Sequence, residues 1–434
     1  TTGTNTTTTG TNTTTTGTNT TTTGTNTTST NTTTTGTTTT TTPPAYLCGD
    51  DTTAHIEITE TDAGAISVSN LDSDVSSYVS SVASVSWTQN SAWRVHVEYT
   101  FENNEWHTTP SFTAKSGNNE QVLVGIPYST DVAWRVVVED GGSVTDGPDY
   151  RTGNLDNSVP RPEVLVSNPS QWLPEGNFLL STVNEDTGGW TGGEYWTFIL
   201  DRKGRYVWAH KAPDRNWSLF AQTSLDGCNI LWDESTLWSQ WDDGASSMVH
   251  RTYLDEEVAE YTTPGLHHAW VQIDDDNLAW GSQDHGGKEA LVESEWDSNS
   301  EHIIWTCQAD WPSSGNCESN GIFYQESTES FLYSFYTNNS LVEVDRFNGT
   351  GNSGTSLWWA GDVDNGYNFS PSNSEFEWQH GVSYTDAGTL LVSTEARING
   401  SNTTMVREYN VNHGAERLEE VWNFDAGVYA STNG

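Results

Sequence analysis

Positively charged side chains are scarce in this chain. Its 434 residues include 16 Lys and Arg against 59 Asp and Glu, so the net charge is −43. So few cations cannot form a phosphate-binding surface, and we expect no nucleic-acid partner. Hydrophobic residues make up only 33%, and no apolar run reaches the about 18 residues of a transmembrane helix. Such an acidic surface is typical of proteins that stay soluble in a salty medium, and it attracts cations at long range.

Cysteine is also rare, with Cys48, Cys228, Cys307 and Cys317. No pair has the spacing of a zinc site. Cys307 and Cys317 flank a short loop and are candidates for a disulfide, although the sequence leaves three pairings of the four open. No secretory signal opens the sequence, so we expect a processed chain.

Aromatic and turn-forming residues are abundant instead. The 21 Trp, 16 Tyr and 12 Phe supply large buried area for a core. Frequent Thr, Ser, Gly and Asn favour strands joined by turns over helix bundles. We predict an all-β chain with three regions: a tail over 1–44, a β-sandwich over 45–157 and a β-propeller over 158–434.

The first 42 residues carry no charge and begin with four copies of TTGTNTT. Glycosylation sequons recur with the repeat, at Asn5, Asn12, Asn19, Asn26 and Asn31. This regular return, together with the neighbouring Thr residues, predicts an exported segment with covalent glycans, located outside the cell or on its surface. A disordered, O-glycosylated stalk is the simplest interpretation of such a composition.

The tail also has the properties of a polymerising segment. Thr favours extended backbone, and no apolar face results that would let the tail form its own core. Fully extended, residues 1–42 span roughly 140 Å, whereas a compact globular part has a radius of gyration of about 21 Å. We therefore expect the tail to join copies of the chain into a homopolymer, by strand donation or by bundling.

Residues 45–157 contain short alternating runs such as SVASVSW, WRVHVEY and DVAWRVVVED, which predict the β-sandwich. The stretch VLVGIPYSTDVAWRVVVEDGG resembles a fibronectin type III domain. The family pattern is matched loosely by Leu123, Gly125, Pro127, Thr130, Trp134, Arg135 and Val136. This resemblance implies a spacer or adhesive unit.

Residues 158–425 repeat with a period of about 50 residues, which is typical of a propeller. One landmark is a strand that ends in Trp, at Trp208, Trp305, Trp358 and Trp422. A second is a polar turn before a strand, in EGNFLLS, DGCNILW, DDNLAWG, ESFLYS and AGTLLVS. Two landmarks on one period predict one four-stranded blade per repeat. Five blades are clear, and a sixth could be assembled from the ends of the region.

Two histidines occupy the same place in two repeats. His268 precedes Leu278 by 278 − 268 = 10 residues, and His380 precedes Leu390 by 390 − 380 = 10. Equivalent positions of different blades converge on the propeller axis, so both side chains could face one central pocket. The alternative is that each fills the mouth of its blade as a hydrogen-bonded packing residue.

The segments HHAW, SNGIFY…FLYSFYTNNSLVEVDR and QHGVSY resemble bacterial arylsulfotransferases, over about 160–425. The resemblance implies a six-bladed propeller after an N-terminal sandwich. It also implies sulfate transfer from an aryl ester to a phenol through a sulfated histidine, without a nucleotide donor. His380 matches the nucleophile and His268 a second active-site histidine. Asn320 matches the Asn of the family's H-x-N-S-I motif.

Two departures from the family pattern concern the sulfate. Glu318 stands where that motif has His, and Tyr336 stands where an S-S-R motif has the sulfate-binding Arg. Cationic groups hold a sulfuryl group and neutralise the charge that develops on it, so an acid at this place opposes the reaction. We expect sulfotransferase activity to be weak or absent.

Asp362 and Asp364 lie in a D-x-D-N-G segment, whose oxygen ligands make calcium a candidate cofactor. The segment lacks the downstream Glu of an EF-hand, and Asp and Gly also simply form turns. We expect no other cofactor.

The leading hypothesis is thus a secreted, glycosylated structural subunit of an extracellular filament or surface layer. The alternatives are an aryl sulfotransferase that uses His380, and a carbohydrate- or surface-binding adhesin.

Overall fold

The computed structural model describes residues 56–427, with gaps at 165–166, 173–176, 186–192, 213–215, 237–246, 254–257, 286–287, 297, 299–300, 308–310, 312–316, 348–353 and 399–400. The predicted tail and its five sequons lie outside these residues. Among the described residues strands dominate, accompanied by four 3₁₀ turns at Ala63–Ala65, Pro169–Gln171, Tyr336–Asn338 and Ser372–Ser374. Within the described ranges no helix has the length and apolarity of a membrane span. The predicted all-β class is confirmed.

The N-terminal part is a sandwich of two sheets. The strands are β1 (Val68–Val75), β2 (Ala83–Gln89), β3 (Trp93–Thr100), β4 (His107–Thr108), β5 (Phe112–Ala114), β6 (Gly117–Leu123), β7 (Asp131–Val138), β8 (Val144–Asp146) and β9 (Tyr150–Arg151). One sheet has the order β1-β2-β6, and the other has β4-β3-β7-β8 with β5 on β3 and β9 on β7. Every second residue of β2 and β7 is buried, as expected for strands with one face on a core. Trp87 and Trp134 fill that core.

Five sheets follow in chain order within the described residues, and we number them blades 1 to 5. Their strands pair antiparallel except for one parallel pair at the edge of blade 5. Blade 1 contains β10 (Phe178–Asn184), β11 (Tyr195–Asp201) and β12 (Tyr206–Lys211). Blade 2 contains β13 (Asn216–Trp217), β14 (Ala221–Thr223), β15 (Asn229–Thr236), β16 (Ser247–Tyr253) and β17 (Val258–Thr262). Blade 3 contains β18 (Leu266–Gln272), β19 (Asn277–His285), β20 (Lys288–Glu295) and β21 (His302–Thr306). Blade 4 contains β22 (Ser319–Gln325), β23 (Ser330–Phe335), β24 (Ser340–Asp345) and β25 (Ser356–Gly361). Blade 5 contains β26 (Asn368–Ser370), β27 (Val382–Tyr384), β28 (Leu390–Ile398), β29 (Ser401–Asn412) and β30 (Arg417–Asp425).

The inner strand is the first strand of blades 3 and 4 and is β27 in blade 5, and these inner strands are neighbours. β18 packs beside β22, and β22 packs beside β27. All six residues of β23, the second strand of blade 4, are buried. A second strand is apolar on both faces because a blade covers each of them, so it shows no alternation.

The tryptophans that end the outer strands join one blade to the next. Trp208 of blade 1 lies 5.9 Å from Trp232 of blade 2, measured between ring centroids. Trp305 of blade 3 lies 5.9 Å from Tyr333 of blade 4. The outer Trp thus packs on the second strand of the following blade, which explains why the two sequence landmarks share one period. This radial repetition of sheets is the predicted propeller preceded by a sandwich.

Candidate active site on the inner strands

His268 and Asn320 lie on the neighbouring inner strands β18 and β22, and His380 lies two residues before the inner strand β27. In blades 3 to 5, the residue two positions after Leu278, Phe331 or Leu390 pairs with the inner strand. The three pairs are Trp270↔Trp280, Ile322↔Tyr333 and Val382↔Val392. Counting back two residues from the inner-strand member reaches His268, Asn320 and His380 in turn. His268 and His380 thus have the same offset from a paired inner-strand residue, as expected from their spacing, and Asn320 has this offset in the blade between them. That their side chains face one central pocket stays a prediction.

The inner ladders are irregular at this level. In blade 3 the register shifts between Leu266 and Trp270, and in blade 4 between Ser319 and Gly321. His268 has φ 65° and Trp378 has φ 51°, a left-handed conformation that few residues other than Gly adopt. A bulge re-aims side chains, and a strained residue of this kind persists only where its surroundings hold it. We call His268, Asn320 and the segment from Trp378 to His380 the rim. Its irregular backbone makes the rim the best candidate for a functional site.

The imidazole of His380 has a defined orientation. Its Nδ1 lies 2.9 Å from the carbonyl oxygen of Trp378. A carbonyl only accepts, so Nδ1 carries the proton of this hydrogen bond. In the neutral ring Nε2 then holds the lone pair, which is the arrangement that a nucleophilic histidine requires. Its backbone amide donates to the carbonyl of Ser393 at 3.2 Å, which fixes the segment to β28.

Asn320 is committed to structural hydrogen bonds. It is 1% exposed. Its amide nitrogen donates to the carbonyl of Gln379 at 2.7 Å, and its amide oxygen accepts from the hydroxyl of Ser334 at 3.1 Å. The next residue, Gly321, lies so close that a Cβ there would meet the carbonyl oxygen of His380 at 2.1 Å. Asn320 and Gly321 thus hold blade 4 against the backbone that carries His380.

Glu318 and Tyr336 lie together beside the histidine. The Tyr336 hydroxyl donates to Oε2 of Glu318 at 3.3 Å. The Tyr336 ring is 5.6 Å from the ring of His380 and 6.5 Å from that of Trp378, between centroids. Burial, and then the negative charge of Glu318, raises the pKa of Tyr336, so the phenol stays a neutral donor. In the described part of the chain Glu318 forms no ion pair, so its charge is not neutralised by a neighbouring cation.

Sequence reasoning did not find two residues that position this rim. The buried side chain of Gln379 donates to the carbonyls of Phe335 and Ser340, at 3.1 and 2.8 Å. Asn339 accepts from the backbone amide of Trp378 at 2.8 Å. Amides in a polar loop give no sequence signal for such roles, because their partners lie about 40 residues away in the chain.

The remaining predicted sites have simpler environments. Cys307 and Cys317 form a disulfide, as proposed from their spacing, and Cys228 is disulfide-bonded as well. Asp362 accepts from the amide nitrogen of Asn339 at 2.9 Å, and Asp364 follows it in a turn. Among the described residues no group of three acidic, His or Cys side chains is placed to hold a metal ion.

A buried carboxylate links blades 3 and 4 below the rim. Glu289, on β20, is 2% exposed. It accepts from the backbone amide of Ser319 at 2.8 Å and from the hydroxyl of Tyr333. Burial raises its pKa to about 7. No sequence pattern distinguishes this acid, because its hydrogen-bond partners belong to the next repeat.

An open cavity of about 610 Å³ lies elsewhere, between the sandwich and blade 1. None of the catalytic, disulfide or metal-site residues proposed from the sequence lines it. Its wall includes Tyr128, Thr130, Asn154, Arg161, Arg205 and Tyr206.

Comparison with known proteins leaves the family of the chain open. No protein-family model matches it, and no curated protein matches its sequence.

Several solved structures are distantly similar. A proposed 6-phosphogluconolactonase of Bacteroides fragilis is 10% identical over 78% of this chain and 83% of its own, with a TM-score of 0.35. The periplasmic gluconolactonase of Pseudomonas aeruginosa is 11% identical over 76% and 83%, with a TM-score of 0.35. An auxiliary nutrient-binding protein of Bacteroides thetaiotaomicron is 9% identical over 79% and 85%, with a TM-score of 0.33. Likenesses of this size carry no argument about function.

Proposed function

We propose that the chain is an exported, glycosylated structural subunit of an extracellular filament or surface layer, and that it polymerises through residues 1–42. The support comes from the sequence: the repeats are uncharged, rich in β-forming Thr and spaced with sequons. The whole charge of −43 falls on the rest of the chain, so bodies repel one another while the neutral tails do not. A neutral tail is the part of the chain through which such acidic bodies can associate.

The observation that carries this choice over catalysis is the contact between Tyr336 and Glu318 beside His380. A sulfuryl donor brings negative charge to the histidine, and more develops on its oxygens as the ester breaks. The site meets this charge with a carboxylate and a neutral phenol. An interaction that should stabilise the transition state is replaced by repulsion, so we expect turnover to be weak or absent.

Aryl sulfotransfer remains the second candidate, and one observation favours it. The hydrogen bond from Nδ1 of His380 to the Trp378 carbonyl leaves Nε2 as the nucleophilic nitrogen. The enzyme would transfer sulfate from an aryl ester to Nε2 and then to a phenol. The test is turnover of 4-nitrophenyl sulfate with a phenol acceptor. Robust turnover that His380→Ala abolishes, while the exposed His413→Ala leaves it intact, would overturn the structural proposal.

A third candidate is a carbohydrate- or surface-binding adhesin. It is favoured by Trp378, which is 55% exposed and whose backbone is held by Asn339. A fixed, exposed indole offers a flat apolar face of the type that sugars stack on. This candidate predicts ligand binding without turnover, lost in Trp378→Ala and kept in Trp422→Ala.

The structural proposal is tested by electron microscopy of the purified chain. We expect filaments from the full-length protein. A matched variant replaces residues 1–42 with a Gly/Ser linker of equal length, which keeps the mass and the lack of charge but removes the Thr strands. This variant should give separate particles. Separate particles from both proteins, or filaments from both, would contradict the proposal.

A further inference from the structure

The series of blades ends on two uncovered apolar surfaces. On blade 1, Phe178 and Leu179 of β10 are 53% and 57% exposed. On blade 5, Trp422 and Phe424 of β30 are 48% and 51% exposed, and their rings stack on each other. Phe178 and Leu179 are consecutive in their strand and therefore lie on its two faces, whereas Trp422 and Phe424 lie together. Exposed apolar surface often marks a site that another chain segment covers.

The exposure at blade 1 is anomalous for its position in the repeat. Phe178 begins the landmark strand, and its counterparts Leu278, Phe331 and Leu390 are all 0% exposed. Those three counterparts each lie on a second strand that pairs with an inner strand: β18, β22 and β27 respectively. In the described part of the chain β10 pairs with β11 alone. Blade 1 is therefore open at the position that the inner strand fills in blades 3 to 5.

Packing between blades supports the same assignment of β10. Second strands touch the inner strand of the next blade, as β19 touches β22 and β23 touches β27. β10 touches β14 in the same way. The described residues just before β10 do not supply the inner strand, because they form coil and the 3₁₀ turn Pro169–Gln171. The open edge of β10 presents backbone N–H and C=O groups that can pair with an added strand.

The opposite end of the series is uncovered for a related reason. Trp422 is the outer tryptophan of blade 5, and its counterparts Trp208, Trp305 and Trp358 are at most 4% exposed. Those counterparts are buried because the next blade packs over them. No described segment does this for Trp422.

We propose that the open edge of β10 is the acceptor for a strand donated by the Thr-rich tail of a second copy. This assignment rests on the proposed filament function and names its contact site. The tail suits the edge because it favours extended backbone and because, without charge, it approaches the acidic body unopposed. At roughly 140 Å when extended, it is long enough to leave its own body and reach a neighbour. Strand addition to an exposed sheet edge is an established mode of peptide recognition.

The test is hydrogen exchange of the β10 amides in the full-length protein, above and below the concentration at which it assembles. We expect at least a tenfold slowing of exchange in the assembled state only. Leu179→Lys should prevent both the slowing and the assembly. Leu357→Lys is the matched control, because Leu357 is 51% exposed on the outer strand β25. This variant should assemble normally. A synthetic TTGTNTT repeat peptide in excess should compete with assembly while itself protecting β10.

Three results would overturn this assignment. Filaments in which β10 exchanges as fast as in the monomer would place the contact elsewhere, and the filament function would still stand. Protection of β10 that is already complete in the dilute monomer would show that the chain closes its own edge. Equal effects of the two lysine variants would show that charge, rather than the β10 edge, controls assembly. Absence of filaments under all conditions would instead refute the filament function.

Discussion

Replacing Glu289 by Gln should flatten the pH dependence of propeller stability. Glu289 is buried between blades 3 and 4, where it accepts from the Ser319 amide and the Tyr333 hydroxyl. Burial raises its pKa from 4.5 to about 7. Between these values the folded chain binds a proton that the unfolded chain has released. The stability from this group is therefore complete below pH 4.5 and is lost as the pH rises through 7.

The size of the effect follows from the two affinities for the proton. A tenfold change in proton affinity corresponds to about 1.4 kcal/mol, so the loss amounts to about 3 kcal/mol. Gln occupies the same volume and does not titrate. Its amide oxygen can accept from the Ser319 amide while its nitrogen donates to the Tyr333 hydroxyl, so the hydrogen bonds survive. Asp233, whose pKa is also raised to about 7 by burial, stays in both proteins and cancels in the comparison.

The assay is urea denaturation followed by tryptophan fluorescence at pH 4.5, 6 and 8. We expect the difference in free energy of unfolding between Glu289→Gln and the unchanged protein to move by about 3 kcal/mol in favour of the variant across this range. Glu326→Gln, at an exposed glutamate in the turn after β22, should leave the dependence as it is. Parallel stability curves for Glu289→Gln and the unchanged protein would refute the reasoning.

Three further changes test the architecture around the rim. Gly321→Ala forces a Cβ against the His380 carbonyl and should lower the free energy of unfolding by about 3 kcal/mol; an unchanged melting temperature would show that the blades separate freely there. Asn320→Ala leaves the Gln379 carbonyl and the Ser334 hydroxyl without their partner, and thermal melting should show a loss of about 1–3 kcal/mol. Unchanged stability in this variant would deny Asn320 a role in holding the blades together. Cys307→Ser opens a loop of ten residues' separation and should destabilise the chain by about 2–3 kcal/mol under oxidising conditions. The same melting temperature with and without reductant in the unchanged protein would contradict this.

The repeat architecture could be predicted because the same packing recurs. The outer Trp packs on the second strand of the next blade, at 5.9 Å between ring centroids for both Trp208 and Trp305, so an outer Trp returns with each landmark strand. The equal spacing of His268 and His380 before their landmark strands follows the same period. That both side chains face one central pocket stays a prediction.

What the sequence could not reveal depends on contacts between repeats. Glu289 is one of 59 acidic residues, and only its burial under blade 4 distinguishes it. Asn320 matches a motif of the family that the sequence resembles. In the structure it is buried, and its two hydrogen bonds hold the blades together. The open edge of β10 was also invisible, because its sequence resembles strands that are fully covered. Whether a strand is buried depends on the strand beside it, so the strand's own sequence does not show it.

The claim that the tail joins copies of the chain is tested most directly by mixing. Full-length protein is assembled with a rising fraction of the variant whose residues 1–42 are replaced by Gly/Ser, and filament lengths are measured on electron micrographs. The variant keeps the acceptor edge and donates no strand, so each incorporated copy should stop growth and mean length should fall as its fraction rises. Filaments whose length does not depend on the variant fraction would contradict the claim.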